Sequence, residues 1–215
     1  MSHESRTPLN AIVGFSDLLK DIDAFSPEEV QQFVETINTN CTLLLALIND
    51  ILDLSRIESG TMDFQFSSFN LTYIMQQVYD SQRLSMPQGV ELCMEIPEDS
   101  GKYVITDSVR LKQVVNNLIN NAKKFTVKGN ITFGYEIHDP GYTTIFVQDT
   151  GAGISEQDQQ RIFERFYKAD SFTQGAGLGL SICQTIVERL RGTIKVTSRL
   201  GEGTRFEVRV PDTNE

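Results

Sequence analysis

The sequence predicts an all-α helical hairpin over residues 1–60, followed over residues 61–215 by an α+β sandwich with a mixed, mostly antiparallel sheet. Three observations carry this. Val30, Val34, Ile37, Cys41, Leu44, Ile48, Ile51 and Ser55 recur at alternating steps of four and three, a helical seam with a seven-residue repeat. Beyond Gly60 the apolar period falls to two in several short runs, with helical stretches between them. The runs after residue 130 come in pairs around turn residues, as hairpins rather than crossovers. That fits a mostly antiparallel sheet covered by helices better than a doubly wound parallel sheet.

In the hairpin, Leu9, Ile12, Val13, Phe15 and Leu19 follow a helical period from His3 to about Lys20, and residues 21–25 read as a loop. Ser26-Pro27-Glu28-Glu29 is a helix start, with Ser26 as N-cap, Pro27 in the first helical position and Glu29 closing a capping box. Phe33, Leu45 and Leu52 widen the apolar seam of the helix that follows. Two helices cannot enclose so broad a stripe, so a second copy is the expected partner in a homodimeric four-helix bundle.

After Gly60, Phe64, Phe66 and Phe69 alternate as a short strand, residues 71–83 read as a helix, and residues 90–96 and 103–106 as strands. Residues 107–125 form a clear helix, with Leu111, Val114, Val115, Leu118, Ile119, Ala122 and Phe125 on one face. Residues 131–137 and 143–149 pair around Asp139-Pro140-Gly141, and helices follow near 155–163 and 178–190. Strands over 193–197 and 204–210 turn at residues 201–203 and close the chain.

With 40% hydrophobic residues the 215-residue chain can bury a core, and its formal charge of −10 repels nucleic acid and anionic membrane surfaces. No nucleic-acid partner and no membrane contact are expected. The richest apolar run, residues 43–48, falls far short of the roughly 18 residues that a spanning helix needs. No basic n-region with a cleavage site is present, so this fragment is expected in the cytoplasm, with membrane anchoring of a full-length parent left open. Cys41, Cys93 and Cys183 are scattered, and they read as small buried hydrophobes in a reducing compartment.

Five segments in a fixed order carry chemistry: SHESRTPLNAI (2–12), NNLINNAKKFT (116–126), DTGAG (149–153), FERF (163–166) and GAGLGL (175–180). In the second, Asn117, Asn121 and Lys124 line one edge of the helix beside Arg110 and Gln113. Asparagine is a poor helix former. Amide carbonyls suit a hard cation such as Mg²⁺ that keeps waters and nucleotide phosphates, and a lysine one turn on can meet phosphate. Asp149 at a strand end can accept the amino group of adenine, and Gly151 and Gly153 let backbone approach the base. Gly175, Gly177 and Gly179 lead into a helix N-terminus suited to phosphates, without the lysine of a P-loop or the spacing of a dinucleotide fingerprint. Residues 167–174 read as a short polar lid. His3 is one of two histidines; His138 precedes a turn and reads as a surface residue. Glu4 beside His3 offers general-base help to a nucleophilic imidazole, and Pro8 loosens the turn that holds them.

These residues resemble the catalytic core of two-component sensor histidine kinases over nearly the whole chain: SHESRTPLNAI looks like the H-box, NNLINNAKKFT the N-box, DTGAG the G1 box, FERF the F-box and GAGLGL the G2 box. The resemblance implies a dimerisation and phosphotransfer hairpin joined to an ATP-binding α/β sandwich of the Bergerat (GHKL) type. It implies His3 as phosphoacceptor, Glu4 as its base, and Thr7 at the position that orients water when a partner regulator is dephosphorylated. Asn117 and Asn121 would hold Mg²⁺, Lys124 the phosphates and Asp149 adenine. Gly151, Gly153, Gly175, Gly177, Leu178 and Gly179 would shape pocket and lid. The implied reaction is ATP-dependent autophosphorylation and transfer to an aspartate of a response regulator receiver domain. In the family the first helix extends well before the histidine; here Met1 and Ser2 precede it, so the chain reads as a piece of a longer protein. A second reading is an ATP-binding dimeric switch without autokinase activity, like the related gyrase and chaperone ATPases, and a third is a dimerisation and regulator-docking module whose kinase action is lost. No glutamate follows Asp107 in the helix where those enzymes carry their catalytic one, which disfavours hydrolysis as the main activity.

Overall fold

A computed structural model describes residues 2–98, 101–169 and 177–213, with side chains from residue 5 onward. The described residues divide into two compact units: residues up to Met62 together with Gly177 and Leu178 form the first, and the rest from Asp63 onward form the second.

The first unit is a helical hairpin. Helix α1 (Ser2–Leu18) contains Pro8 and ends in a 3₁₀ turn over Leu19–Ala24, where the sequence suggested an open loop. Asp21 breaks the turn at φ −109°, ψ 49°. Helix α2 (Pro27–Glu58) begins with the expected capping box: the Glu29 amide donates to Ser26 Oγ at 3.2 Å, and the Ser26 amide donates to Glu29 Oε2 at 2.8 Å. Ser26→Ala removes one of these bonds and is expected to cost about 1 kcal/mol, measurable as a lower denaturant midpoint. Phe33 joins the helices by stacking on Phe15 at 5.5 Å and edge-on to Phe25 at 5.0 Å. Among the described Leu, Ile, Val and Phe side chains of the two helices only Leu47 is buried, while Leu45 is 62% exposed.

By length and composition α2 is sufficient to cross a membrane, with a best 18-residue window of mean hydropathy 1.2. This corrects the expectation drawn from residues 43–48. A seven-residue apolar repeat along a 32-residue helix raises the average without a contiguous apolar run.

The second unit is an α+β sandwich. A short pair, β1 (Ser67–Asn70) with β3 (Tyr103–Thr106), stands apart from a five-stranded sheet. Phe64 and Phe66 precede β1 rather than forming it; Phe64 lies against the Arg110 guanidinium, 5.9 Å from carbon to ring centre. The large sheet has the order β2 (Val90–Glu95), β4 (Gly129–Glu136), β5 (Tyr142–Asp149), β7 (Gly203–Pro211), β6 (Thr193–Arg199). Only β2 and β4 run parallel, and the rest are antiparallel, as the hairpin signals require. Helices α3 (Leu71–Gln82), α4 (Ser108–Phe125) and α6 (Gly179–Arg189) carry the apolar faces of the sandwich, with Met75, Leu118, Ile119, Ile186, Phe133 and Val208 fully or nearly fully buried. The helix expected over 155–163 shortens to α5 (Glu156–Gln159) and continues as turns. Ile162 is buried there, and Phe163 packs edge-on against Phe206.

Asp107 caps α4 through the amides of Val109 and Arg110 and also accepts from the Gln65 amide at 2.8 Å, so the helix starts one residue later than its periodicity suggests. Of the cysteines only Cys183 is buried; Cys41 and Cys93 are half-buried, and none is in a disulfide. His138 is exposed and bonds Glu136 at 2.8 Å.

Candidate functional site

Helix α4 supplies the backbone of the site. Its apolar residues fill one broad face with Leu111, Val114 and Val115 fully buried, so the amide edge beside that face is fixed in direction. On that edge Asn121 Nδ2 donates to Asn117 Oδ1 at 3.2 Å. The two carbonyl oxygens therefore do not converge on one point in this arrangement; both face a single cation only after the Asn121 amide turns. Gly179, the first residue of α6, abuts Asn117 closely: a Cβ there would lie 2.7 Å from Asn117 Nδ2. The last turn of α4 carries Lys124, which is exposed.

Asp149 ends β5 and is 6% exposed. Its Oδ1 accepts the Gly151 amide at 2.8 Å, and the Thr204 amide also bonds its carboxylate. Burial pushes its pKa above the ordinary aspartate value, and the two amides pull the other way. A Cβ on Gly151 would lie 2.4 Å from the Phe125 carbonyl oxygen, which also accepts the Ala152 amide. The DTGAG loop thus lies directly against the end of α4. Gly153 has φ +71°, and its Cβ position is 1.9 Å from the Arg199 carbonyl oxygen.

The structure thus brings Asn117, Asn121, Asp149, Gly151, Gly153 and Gly179 together in one unit. Gly177, which adopts φ +67°, and the fully buried Leu178 group with the first unit, whereas Gly175 lies outside the described residues. His3, Glu4 and Thr7 belong to the first unit; all three lie on α1, and the side chains of the first two are outside the described set.

Sequence reasoning missed Thr204. Residues 201–203 read only as a turn, yet the β5–β7 register sets Thr204 opposite Asp149. Ser198 Oγ bonds Thr204 Oγ1 at 3.0 Å and accepts the Ile154 amide, tying the hairpin to the DTGAG loop. A glycine-threonine pair opening the strand beside the aspartate was the available signal.

A buried carboxylate backed by amides, a glycine floor and an adjacent amide edge fit a purine nucleotide with its phosphates. Two neutral amide oxygens fit a hard cation that keeps water and phosphate oxygens. Among the described residues no cluster of three or more His, Cys, Asp or Glu side chains could hold a metal ion.

Comparison with known proteins agrees with this chemistry. Residues 1–60 match the His Kinase A (phospho-acceptor) domain, and residues 106–214 match the histidine kinase-, DNA gyrase B- and HSP90-like ATPase family. The autoinducer 2 sensor kinase/phosphatase LuxQ of Vibrio cholerae is 40% identical over 98% of this chain and 25% of its own length. Full-length ShkA, solved in complex with AMPPNP, is 29% identical with a TM-score of 0.73, covering 98% of this chain and 44% of that one. Histidine kinase ThkA, solved in complex with the response regulator protein TrrA, is 28% identical with a TM-score of 0.74, covering 99% and 60%.

A helical hairpin followed by an α+β sandwich, with these two family matches in that order, defines a histidine kinase core. The chain belongs to the sensor histidine kinase family. It spans 25% or less of the length of several of the curated relatives it matches.

Proposed function

We propose that this chain accepts the γ-phosphoryl group of ATP on His3 and passes it to an aspartate on a response regulator receiver domain. The observation that carries this is the contact of Asn117 with both Asn121 and Gly179, in the same unit as the buried Asp149, in a chain whose first 60 residues match a phospho-acceptor domain. In this reading residues 1–60 are the dimerisation and phosphotransfer domain, and residues 61–215 bind ATP. Asp149 accepts the adenine amino group, Gly151 and Gly153 admit the base, and Lys124 meets the phosphates. Gly175, Gly177, Leu178 and Gly179 shape the phosphate end of the pocket. Asn117 and Asn121 would hold Mg²⁺, which when bound neutralises phosphate charge.

A neutral His3 nitrogen forms the N–P bond as the bond from the γ-phosphorus to the bridging oxygen breaks. ADP leaves with that electron pair, and the proton on the other ring nitrogen passes to Glu4. Thr7 orients water when the regulator is dephosphorylated. The apolar residues left exposed on α2, among them Leu45, Ile48 and Leu52, support a homodimer. The ThkA–TrrA complex supports a receiver domain as partner. These domains act in the cytoplasm, where ATP and receiver domains meet.

The test is incubation with Mg²⁺ and γ-labelled ATP. Acid-labile, alkali-stable label is expected on the chain, absent from His3→Gln and strongly reduced in Asn121→Ala. A chain that binds ATP and takes no label would instead be an ATP-binding switch.

A further inference from the structure

The apolar stripe of α3 runs through Leu71, Ile74, Met75 and Val78, and its next position is Gln82, 8% exposed. A buried amide at a core position is the informative departure in an otherwise ordinary helix. Both ends of this amide are engaged by α4. Gln82 Nε2 donates to Asn116 Oδ1 at 2.8 Å, and Gln82 Oε1 accepts from Lys123 Nζ, which also donates to Ser85 Oγ at 2.7 Å. Partial burial lowers the Lys123 pKa. A further clasp, Lys112 Nζ to Gln77 Oε1 at 2.9 Å, extends the same seam towards the start of α4.

Asn116 and Lys123 are seven residues apart, so they share one flank of α4. Asn117, Asn121 and Lys124 share the other. On a helical wheel the two polar stripes lie about 120° to either side of the buried stripe. The buried stripe consists of aliphatic side chains whose attraction is non-directional, so hydrogen bonds along one flank add a directional restraint on the rotation of the helix. A rotation of roughly 10° moves a side-chain tip about 1 Å at the helix surface. Displacements of that size are enough to spoil a binding constellation.

We infer that Gln82 is a positioning residue for the nucleotide site: by clasping Asn116 and Lys123 it fixes the rotation of α4 and so the direction of Asn117, Asn121 and Lys124. Gln82 and Lys123 are not among the residues assigned above to the nucleotide. The inference rests on the nucleotide reading above.

The test measures the dissociation constant for ATP with Mg²⁺ alongside the melting temperature without nucleotide, on the full chain. Gln82→Met keeps the volume and removes both bonds; affinity is expected to fall roughly 10-fold. Gln82→Glu restores it, because the carboxylate accepts from Lys123 and from a turned Asn116 amide. Val78→Ala, a buried substitution on the same helix outside the seam, lowers the melting temperature and leaves affinity unchanged. Lys123→Met, which breaks the lysine arm together with its bonds to Ser85 and the Gln82 carbonyl oxygen, weakens binding in the same direction and serves if Gln82→Met does not fold. Wild-type affinity in both seam variants, failure of Gln82→Glu to restore binding, or an equal loss in Val78→Ala overturns the inference. No binding by the unsubstituted chain overturns the nucleotide site and this inference with it.

Discussion

Asp149→Asn is expected to weaken ATP binding roughly 10- to 100-fold, the range for losing a hydrogen bond to a charged group, while raising the stability of the unliganded protein. The two effects have one cause. Asp149 is buried at the end of β5 with backbone amides of Gly151 and Thr204 on its carboxylate. Burial raises its pKa against the pull of those amides, so the fold disfavours the ionised form. A carboxyl whose folded pKa is raised contributes stability that is fully present below its unfolded pKa. That contribution is lost as pH rises through the folded pKa. At neutral pH the ionised side chain is therefore a net cost. Asparagine keeps one oxygen to accept from the Gly151 and Thr204 amides and sheds the charge, whose burial outweighs the pull of those amides, so its melting temperature should exceed that of the unsubstituted protein at pH 7. The difference should close as pH falls through the Asp149 pKa.

Nucleotide binding runs the opposite way with pH. The ionised carboxylate accepts the adenine amino group more strongly than the protonated acid does, so ATP affinity of the unsubstituted protein should fall with acidification. Its midpoint should lie above the ordinary aspartate value of about 3.9. The asparagine variant, whose amide nitrogen now meets the adenine amine, should show weak binding with little pH dependence through the same window. Its preference for ATP over GTP should shrink, because that nitrogen can donate to the guanine oxygen. Calorimetric titration at several pH values, with thermal unfolding of both proteins, separates the outcomes. Unchanged ATP affinity in Asp149→Asn would remove the adenine role, and a lowered melting temperature would remove the account of burial.

Much of this site was legible because its chemistry lies in short, contiguous runs. Period and capping place Asn117, Asn121 and Lys124 on one edge of α4, and a carboxylate at the end of an alternating run sets Asp149 at a strand end. Other features depend on distant pairing, which spacing does not encode. Thr204 meets Asp149 only through the β5–β7 register, across more than fifty residues of chain. The pairing of β1 with β3 likewise could not be read locally, and the alternation of Phe64 and Phe66 gave way to a side-chain contact with Arg110. Gln82 was visible as an irregularity in an apolar stripe, but its partners lie over thirty residues away on another helix. The short α5 reflects tertiary packing prevailing over local helical pattern, as Ile162 and Phe163 turn inward to the core and Phe206.

The second large effect is expected at Gly153. Gly153→Ala should destabilise the protein by about 3 kcal/mol or more, the sum of a left-handed backbone penalty of about 1–2 kcal/mol and an overpacking cost of similar size. Gly141→Ala isolates the first contribution: that glycine sits at φ +81° with nothing within 4 Å of its Cβ position, so it should lose only about 1 kcal/mol. At Gly153 the added methyl would lie 1.9 Å from the carbonyl oxygen of Arg199, an atom of backbone at the end of β6. It cannot be relieved by a side-chain rotation. The turn after β6 must withdraw, yet it is held by the Gly201 amide on the Ala152 carbonyl oxygen at 2.8 Å and by the pairing of Arg199 with Gly203. Withdrawal would also strain the strand start that carries Gly203 and Thr204 against Asp149, so ATP affinity should fall together with stability. Denaturant unfolding of the two alanine variants reads the difference directly. Equal costs at Gly153 and Gly141 would mean that the DTGAG loop and the β6–β7 turn are not packed together as tightly as described, and that Gly153 serves only to turn the chain.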